Sequence, residues 1–504
     1  MSSKTASIQD SPLPVSVNNG PIIGDNEPLL ENISVSSHPT SILRERGQSS
    51  MVTIFAIWNM MMGTSLLSMP WAYSNAGILG GLIAILIMGV VCFYTASLII
   101  TIPKSLDIRL QEYGDLVHLV LGPIWCKISQ LFSISVLVGS CVVYWILMNN
   151  FAINIATLLY EIGWSNGSIS TNISGVVCHN FQTINQNFIY DNITTSTTTL
   201  TQTTTTLISP FSSSRKFINY GVPIVLLIIQ GPIICLRSVS IFLKFNFFGT
   251  FSVFFLIAFA LFKSVAWGII NITLTDSTSL HYVPLIEMNF PIYTGVLSLA
   301  LFIHNCHTTI MKSQANPQNN YRDLAIAYFL VVLTYFILGT SIYVSFPLRK
   351  DCLADNFLNN LESNDIYAFF ARTFLFIQIF TLFPLLCFMV RVQVLSLFSR
   401  PRSISDLTSR ESCFENQTFP IILLNIVLLA ICLLFAVLYP KIGAVIRFCG
   451  SFSGLFLIFT LPPLMLIFSR YSLQISVHWV LYIVLTIIIV MGFTNFAFQF
   501  IVTM

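Results

Sequence analysis

Residues 59–70 read NMMMGTSLLSMP and place polar side chains in the middle of an apolar stretch. Gly63 weakens a helix by roughly 1 kcal/mol relative to Ala, and the hydroxyls of Thr64 and Ser65 compete for backbone hydrogen bonds. An unwound segment would expose free N–H groups, which suit a carboxylate, and free carbonyls, which suit an ammonium group or Na⁺. Close helix packing through small residues explains the pattern equally well. Asn59, whose buried amide would need partners, favours a binding site.

A second polar interruption, FIHNCHTTI, contains His304, Asn305 and His307. It lies five predicted helices after the first, as expected of a transporter whose two inverted repeats bring their broken helices together at the membrane midplane. Intramembrane histidines are functional candidates by default. We expect His304 to belong to the substrate site and to respond to an acidic compartment, with a packing role as the alternative. We expect the ring of His307 to face water at the end of the span.

A third feature lies in the eighth predicted span, where FIQIFTLFPLL places Gln378 and Thr381 shortly before Pro384. Proline frees a carbonyl one turn earlier in a helix. A threonine hydroxyl beside freed carbonyls could form an oxygen cage for a monovalent cation. On these residues alone, a proline kink padded by threonine is the better explanation.

The elements that must position these residues are membrane-spanning helices. The chain has 504 residues, of which 55% are hydrophobic and 9% charged, whereas soluble proteins are about 25% charged. A span needs about 20 mostly apolar residues, and the stretches lack the alternation typical of barrels. We therefore predict an all-α, multi-pass membrane protein with eleven transmembrane helices. They cover roughly 51–74, 77–102, 125–160, 218–236, 244–270, 291–311, 323–346, 366–398, 419–438, 442–468 and 476–501.

Residues 1–50 are polar and rich in Ser, Pro and Asn, which predicts a disordered tail ahead of a transmembrane core at 51–504. The net charge of +3 is too small to indicate a nucleic-acid partner. The spans contain no Ser/His/Asp set, H-E-x-x-H motif or paired carboxylates, and the chain has no phosphate-binding G-x-x-x-x-G-K-[ST] loop. We predict that the protein is not an enzyme.

Loop charges indicate the orientation of the helices. Most Lys and Arg residues outside the spans fall on the side of the tail, which predicts a cytosolic N-terminus. The loop at 161–217 then lies on the opposite side and carries a threonine-rich run. Sequons on that side predict glycosylation at Asn166, Asn172, Asn192 and Asn271.

The cysteines support this topology. Of the eleven, only Cys178 and Cys352 fall in loops on the non-cytosolic side. Such a compartment permits disulfides, so we predict a bridge that ties the 161–217 loop to the loop after the seventh span. Two free thiols are the alternative.

Two short motifs suggest a sorting signal and a lipid contact. Asp25, Leu29 and Leu30 fit the acidic dileucine pattern D-x-x-x-L-L, which clathrin adaptors read to route proteins to endosomes and lysosomes. In the eighth span, Arg372 begins a loose cholesterol-contact pattern, R-T-F-L. We prefer the alternative that Arg372 extends along its helix to the membrane interface.

Five longer stretches carry a resemblance: IWNMMMGTSLLSMPW, TGVLSLALFIHNCHTTIMK, RDLAIAYFLVVLTY, SFPLRKDCLADNF and RVQVLSLF. Together they resemble the amino acid/auxin permease family, in its sodium-coupled neutral amino acid transporter branch, and within it a lysosomal arginine-sensing member. The resemblance implies a LeuT-like fold, with two inverted five-helix repeats plus one extra helix. By motif match it implies substrate binding, largely through main chain, at Asn59, Met60, Met61, Met62, Gly63 and Thr64. Ser65 and His304 complete the expected substrate site.

The same resemblance implies Na⁺ binding at Asn59 and Thr381, and it matches Cys178 and Cys352 to a luminal disulfide. It implies an arginine-responsive secondary transporter of lysosomes and late endosomes that exports neutral and essential amino acids such as leucine. It also implies signalling through Ragulator and Rag GTPases to the target-of-rapamycin kinase complex.

Two departures from the relative qualify this resemblance. The tail is considerably shorter, with no recognisable Ragulator-binding motif, and Met60 stands where the relative has Thr. A sensor or signalling scaffold with little transport is the alternative function.

Overall fold

A computed structural model describes residues 48–164, 175–178, 210–235, 240–279, 281–398, 418–476 and 478–502. The regular structure in these ranges is helical, with only isolated β-bridges beside it. The α-helices are α1 (Ser50–Met61), α2 (Ser65–Ser74), α3 (Ile78–Ser105), α4 (Tyr113–Leu121), α5 (Pro123–Trp164), α6 (Pro210–Ile234), α7 (Ser240–Trp267), α8 (Phe290–Ala300), α9 (His307–Lys312), α10 (Asn320–Ser345), α11 (Ile366–Phe398), α12 (Thr418–Leu438), α13 (Ile442–Leu457), α14 (Leu461–Ser472) and α15 (Trp479–Ile501).

The helix lengths confirm an all-α, multi-pass membrane protein. In the described ranges, 8 helices are long and apolar enough to cross a membrane, and the number rises to 9 if α1 and α2 form one span bent by 61°. Two further predicted spans correspond to shorter apolar helices, Gly221–Ile234 and α8. The second is short because α8 ends after 11 residues at an unwound segment. The count of eleven spans is therefore not established by helix length.

Two helices, α5 and α10, each pack against several others in the interior of the bundle. The longest, α5, packs against α11 and α13, and α10 packs against α1, α2 and α3. Trp145 on α5 and Tyr335 on α10 are among the largest fully buried side chains. Helix α10 is consequently placed alongside both halves of the first span.

One face of the helix bundle, here named the disulfide side, is closed by the loop between α10 and α11. Cys178 and Cys352 form a disulfide on this face, the pair that the sequence predicts. The backbone of Val177 and Asn360 is joined by a 2.8 Å hydrogen bond, and the Asn360 amide nitrogen donates to Val177 O and Cys352 O. The opposite face, which carries the start of α1 and the end of α9, is named the tail side.

The side chain of Arg372, on α11, holds the same loop through hydrogen bonds to its backbone. Its guanidinium is 2% exposed and donates to the carbonyls of Leu358 and Leu361 at 2.8 and 2.9 Å, with a longer contact to Glu362 O. The expectation that Arg372 extends to the membrane interface is wrong, because its two terminal nitrogens donate to backbone carbonyls of a folded loop, while its Nε is buried without a partner among the described residues. The Phe374 ring of the cholesterol-contact pattern likewise packs on protein, against Phe251 and Phe255 of α7.

A buried ion pair joins α7 to the start of α11. The side chains of Lys263 and Asp365 are 0% and 2% exposed and form a direct salt bridge. The Asp365 carboxylate also accepts the N–H groups of Tyr367 and Ala368, which lack partners at a helix start. Removing one partner of such a pair leaves an uncompensated buried charge, so the pair holds α7 and α11 in register on the disulfide side.

Candidate functional site

The first span is broken between α1 and α2. Met62 N still bonds Trp58 O at 3.1 Å, but Gly63 N turns back to Met61 O at 2.9 Å. Helix α2 restarts with bonds from Leu66 N to Gly63 O and from Leu67 N to Thr64 O. Among the described residues, the N–H groups of Thr64 and Ser65 have no hydrogen-bond partner. The break thus presents two free donors at the positive end of α2.

A small cavity lies beside this break. Its volume is about 20 Å³, which is room for about one water molecule. The lining residues are Met62, Gly63, Thr64, Leu66, Leu67, Tyr144, Val253, Leu256, Leu375, Gln378, Ile379 and Leu382. Carbon side chains form most of the wall, and few polar groups face the break.

Two of those polar groups come from neighbouring helices. The Tyr144 hydroxyl of α5 lies 3.6 Å from where a Cβ would stand on Gly63. The Gln378 Oε1 of α11 is buried and, in the part of the chain that the structure describes, has no hydrogen-bond partner. An acceptor in that state needs a donor from a ligand or from water. Sequence reasoning assigned Gln378 to the proline kink and missed Tyr144, which lies in a regular apolar helix.

The predicted substrate residues divide into two groups. Met62, Gly63 and Thr64 line the cavity. Asn59, Met60, Met61, Ser65 and His304 do not. The 45% exposed Met60 points away, with its sulfur 3.7 Å from that of Cys306.

The sixth predicted span is also broken, over residues 301–306 between α8 and α9. His304 is fully buried, and its Nε2 lies 2.9 Å from the Thr95 hydroxyl of α3. The Asn305 amide donates to Ser133 Oγ of α5 at 3.2 Å. The Tyr328 hydroxyl of α10 donates to Leu301 O at 3.1 Å. Neighbouring helices thus satisfy several polar groups of this break, while His304 Nδ1 and His307 Nε2 are buried without a partner among the described residues.

The position of the His307 ring differs from the one that the sequence predicted. Its ring is 0% exposed, and its Nδ1 lies 3.2 Å from Ile303 O. The expectation that His307 faces water is wrong. It begins α9 directly after the break, and its ring packs edge-on toward His304 at 6.4 Å rather than toward solvent.

The expected sodium ligands show a mixed arrangement. Asn59 Oδ1 is buried with no partner among the described residues. The Thr381 hydroxyl donates to its own helix, at Ile377 O and Gln378 O. The carbonyl that Pro384 frees is Phe380 O, and it receives the Gln230 amide of α6 at 3.0 Å. Gln230 therefore occupies one of the acceptors that the sequence left open for a cation.

A wider vestibule opens on the disulfide side, with a volume of about 720 Å³. Its wall includes Trp71, Asn150, Asp355, Glu362 and Lys441, and this size accommodates a small ligand. Trp71 lies on α2 roughly 10 Å beyond Thr64, at 1.5 Å per residue. The vestibule therefore approaches the break from the disulfide side.

Asp355 is a partly buried acidic group of the vestibule wall. Its Oδ2 accepts the Gly443 N–H at 2.9 Å, which satisfies a donor at the start of α13. Burial raises the pKa of this carboxyl group above its ordinary value of 3.8, although hydrogen bonds from the α13 backbone act in the opposite direction. The vestibule thus contains a carboxyl group that gains a proton more readily than an exposed aspartate.

Several predicted sites fall outside the described residues: Asp25, Leu29, Leu30, Asn166, Asn172 and Asn192. Asn271 is described. Its Nδ2, the atom that would carry a glycan, donates to Trp267 O at 2.9 Å and Ser345 O at 2.7 Å. Glycosylation there would remove one of these two bonds.

Comparison with known proteins gives consistent matches. Residues 46–504 match the family model described as transmembrane amino acid transporter protein. The chain is 37% identical to a sodium-coupled neutral amino acid transporter 9 homolog of Caenorhabditis elegans, over 83% of this chain and 68% of that protein. It is 35% identical to neutral amino acid transporter 9 of Xenopus tropicalis, over 90% of this chain and 80% of that protein. The same protein of Rattus norvegicus is also 35% identical, over 90% and 79% of the two chains.

Proposed function

The chain belongs to the transmembrane amino acid transporter family, and we propose that it is a lysosomal secondary transporter whose substrate binds at the break between α1 and α2. The free N–H groups of Thr64 and Ser65 beside a cavity carry this proposal. An amino acid has a carboxylate for those donors and an ammonium group for the carbonyls that end α1. The relatives named neutral amino acid transporters support amino acids as the substrate class.

We propose that transport proceeds by alternating access, which the sizes of the two cavities support. At about 20 Å³ the cavity at the break is too small for an amino acid, whereas the vestibule of about 720 Å³ is open. Substrate would enter from the vestibule, widen the break and leave toward the tail side. We propose that α1/α2 and α8/α9 begin two inverted five-helix repeats and that α15 is the extra helix, which is consistent with a break at the start of each unit.

For orientation, we propose that the disulfide side faces the lysosomal lumen and the tail side the cytosol. The disulfide on one face supports this assignment, as does the dileucine motif of the tail. For coupling we propose Na⁺, with Asn59 Oδ1 and the Thr381 hydroxyl as oxygen ligands. The unpartnered state of the Asn59 oxygen supports this assignment.

The tail side favours a second function, an arginine sensor that signals through Ragulator and Rag GTPases. Gln48, the first described residue of the 1–50 tail, pairs through its backbone with Ser313 and Ala315 just beyond α9. The Gln314 amide also donates to Ser50 Oγ. A change in the sixth span could therefore reach residues 48–50, the described end of the tail.

Uptake into proteoliposomes tests the primary proposal. All common amino acids should be competed against labelled arginine at about pH 5 and about pH 7, with and without Na⁺. We expect saturable uptake that is stimulated by Na⁺ and inhibited by neutral amino acids. If no amino acid crosses the membrane while arginine still changes protease access to the tail, the sensor is the correct function.

A further inference from the structure

The hydroxyl of Tyr335 lies between the two broken spans. It donates to Met61 O at 2.5 Å and lies 3.4 Å from Ala300 O. Met61 is the last residue of α1, and Ala300 is the last residue of α8. Tyr335 itself is 0% exposed and belongs to α10. One side chain thus reaches the ends of both helices that stop inside the membrane.

A tyrosine hydroxyl has a single proton to donate. The carbonyls at a helix end lack intrahelical donors and carry partial negative charge, so both compete for this proton, even though Met61 O also accepts the Gly63 N–H at 2.9 Å. The distances show that Met61 O holds it in the present conformation. Rotation about one C–O bond would transfer the hydrogen bond to Ala300 O without moving any charge.

We propose that Tyr335 is a positioning residue that couples the two breaks by exchanging its hydrogen bond between Met61 O and Ala300 O. This inference rests on the proposed transport function, because the exchange accompanies the switch between the two open sides. Two discrete hydrogen-bonding states give the bistable element that such a switch requires. The bond to Met61 O belongs to the state with an open vestibule, and the bond to Ala300 O to its opposite.

Two other residues of α10 provide matched controls, because each holds a single span. Thr334 Oγ1 accepts the Trp58 indole N–H of α1 at 3.2 Å. The Tyr328 hydroxyl donates to Leu301 O of the sixth-span break at 3.1 Å. Comparing Tyr335→Phe with Thr334→Val and Tyr328→Phe therefore separates loss of coupling from loss of any one hydrogen bond on this helix.

Backbone hydrogen exchange on the full chain in proteoliposomes is the primary test. We expect Tyr335→Phe to raise exchange by about tenfold in both breaks, residues 61–66 and 300–306, since each loses its shared donor. Thr334→Val should raise exchange only in the first segment, and Tyr328→Phe only in the second. Increased exchange at one break alone in Tyr335→Phe, or equal effects from all three variants, would overturn the proposal.

Transport kinetics give a second readout. We expect Tyr335→Phe to lower kcat by about tenfold and to change KM much less, because the cavity residues stay in place. If wild-type protein moves no amino acid, the transport function fails, and hydrogen exchange still tests the coupling. If wild type transports and Tyr335→Phe has wild-type kcat, only the role of Tyr335 fails.

A second variant covers the case in which Tyr335→Phe does not fold. Tyr335→p-aminophenylalanine keeps the ring and supplies two N–H donors, so both carbonyls can be satisfied at once. We expect this variant to slow exchange in both breaks and to reduce turnover, as a locked state should. Faster exchange, or unchanged turnover, would contradict the proposed exchange of one proton.

Discussion

The first and sixth spans are broken at corresponding places in the sequence. The polar groups at the two breaks differ in their hydrogen-bond partners. Around the first, the N–H groups of Thr64 and Ser65 and the oxygen of Gln378 have no partners among the described residues. In the sixth, His304 bonds to α3 and Asn305 to α5, although His304 Nδ1 and His307 Nε2 are buried without a partner among the described residues.

Buried polar groups in a native protein normally find partners. The unpartnered donors of the first break lie beside a cavity and therefore favour a place for a ligand, whereas the side-chain bonds from the sixth break to α3 and α5 favour a hinge. Similar sequence signals thus have two structural uses, and neighbouring helices determine which one applies. Each prediction below tests this division.

The largest effect should come from filling the first break. Thr64 is 9% exposed and lines the cavity, so Thr64→Trp places an indole where the substrate's main chain must bind. We expect binding of labelled amino acid to fall by roughly 100-fold or more, with normal expression. Met60→Trp is the control, because Met60 is 45% exposed and outside the cavity. Retained binding in Thr64→Trp would remove the site from this break.

An intermediate effect should follow from the sixth break, on stability rather than on binding. Thr95→Val keeps the shape of the side chain but leaves the His304 ring without its 2.9 Å partner. We expect the free energy of unfolding to fall by about 1–3 kcal/mol, measured by thermal denaturation in detergent. Substrate affinity should change by less than about twofold. A large loss of affinity without loss of stability would show that His304 acts in binding.

A smaller effect should come from strengthening the helix at the first break. A Cβ on Gly63 would lie 3.6 Å from the Tyr144 hydroxyl, an ordinary contact, so Gly63→Ala fits. Alanine favours helix by about 1 kcal/mol, which opposes the unwound state and should weaken binding by about fivefold. Gly163→Ala, in a helix with open space around it, should leave binding unchanged. Equal effects of the two variants would mean that the break itself is not what binds.

The smallest expected effect is on the way stability depends on pH. The pKa of Asp355 is raised in the folded protein, so folding takes up protons, and stability should fall as pH rises upward from the ordinary value of 3.8. We expect Asp355→Asn to flatten the dependence of melting temperature on pH between about 4 and about 6. Asp351→Asn, at an exposed side chain, serves as the control. A slope that persists in Asp355→Asn and disappears in His304→Gln would move the acid response to the sixth break.

The sequence located the first break, because glycine and hydroxyl side chains in an apolar stretch locally weaken a helix, but the same residues fitted close helix packing equally well. It also predicted the Cys178–Cys352 pair, since topology left only those two cysteines on one side. Tyr144 and Tyr335 could not be identified in this way. Their importance depends on which helix faces which, and an aromatic residue in an apolar helix resembles any other packing residue.

Arg372 and His307 were misjudged for a related reason. Sequence patterns treat a charged or polar side chain in a span as one that must reach water. Here the partners are backbone carbonyls, which are present at every position and leave no mark in the sequence. Only the folded path of the chain shows which carbonyls are free to accept.

The three loop carbonyls that accept hydrogen bonds from Arg372 have a consequence for how the chain is synthesised and inserted into the membrane. An arginine costs about 2.5–3.5 kcal/mol on insertion at the centre of a membrane helix, and Arg372, in the second turn of α11, adds a smaller cost of the same kind. Its three acceptors lie 10, 11 and 14 residues earlier in the chain, so the ribosome has already made them when the eighth span leaves it. The loop can thus accompany its arginine through biogenesis, and shortening it should reduce membrane integration of the nascent chain before any effect on a finished transporter.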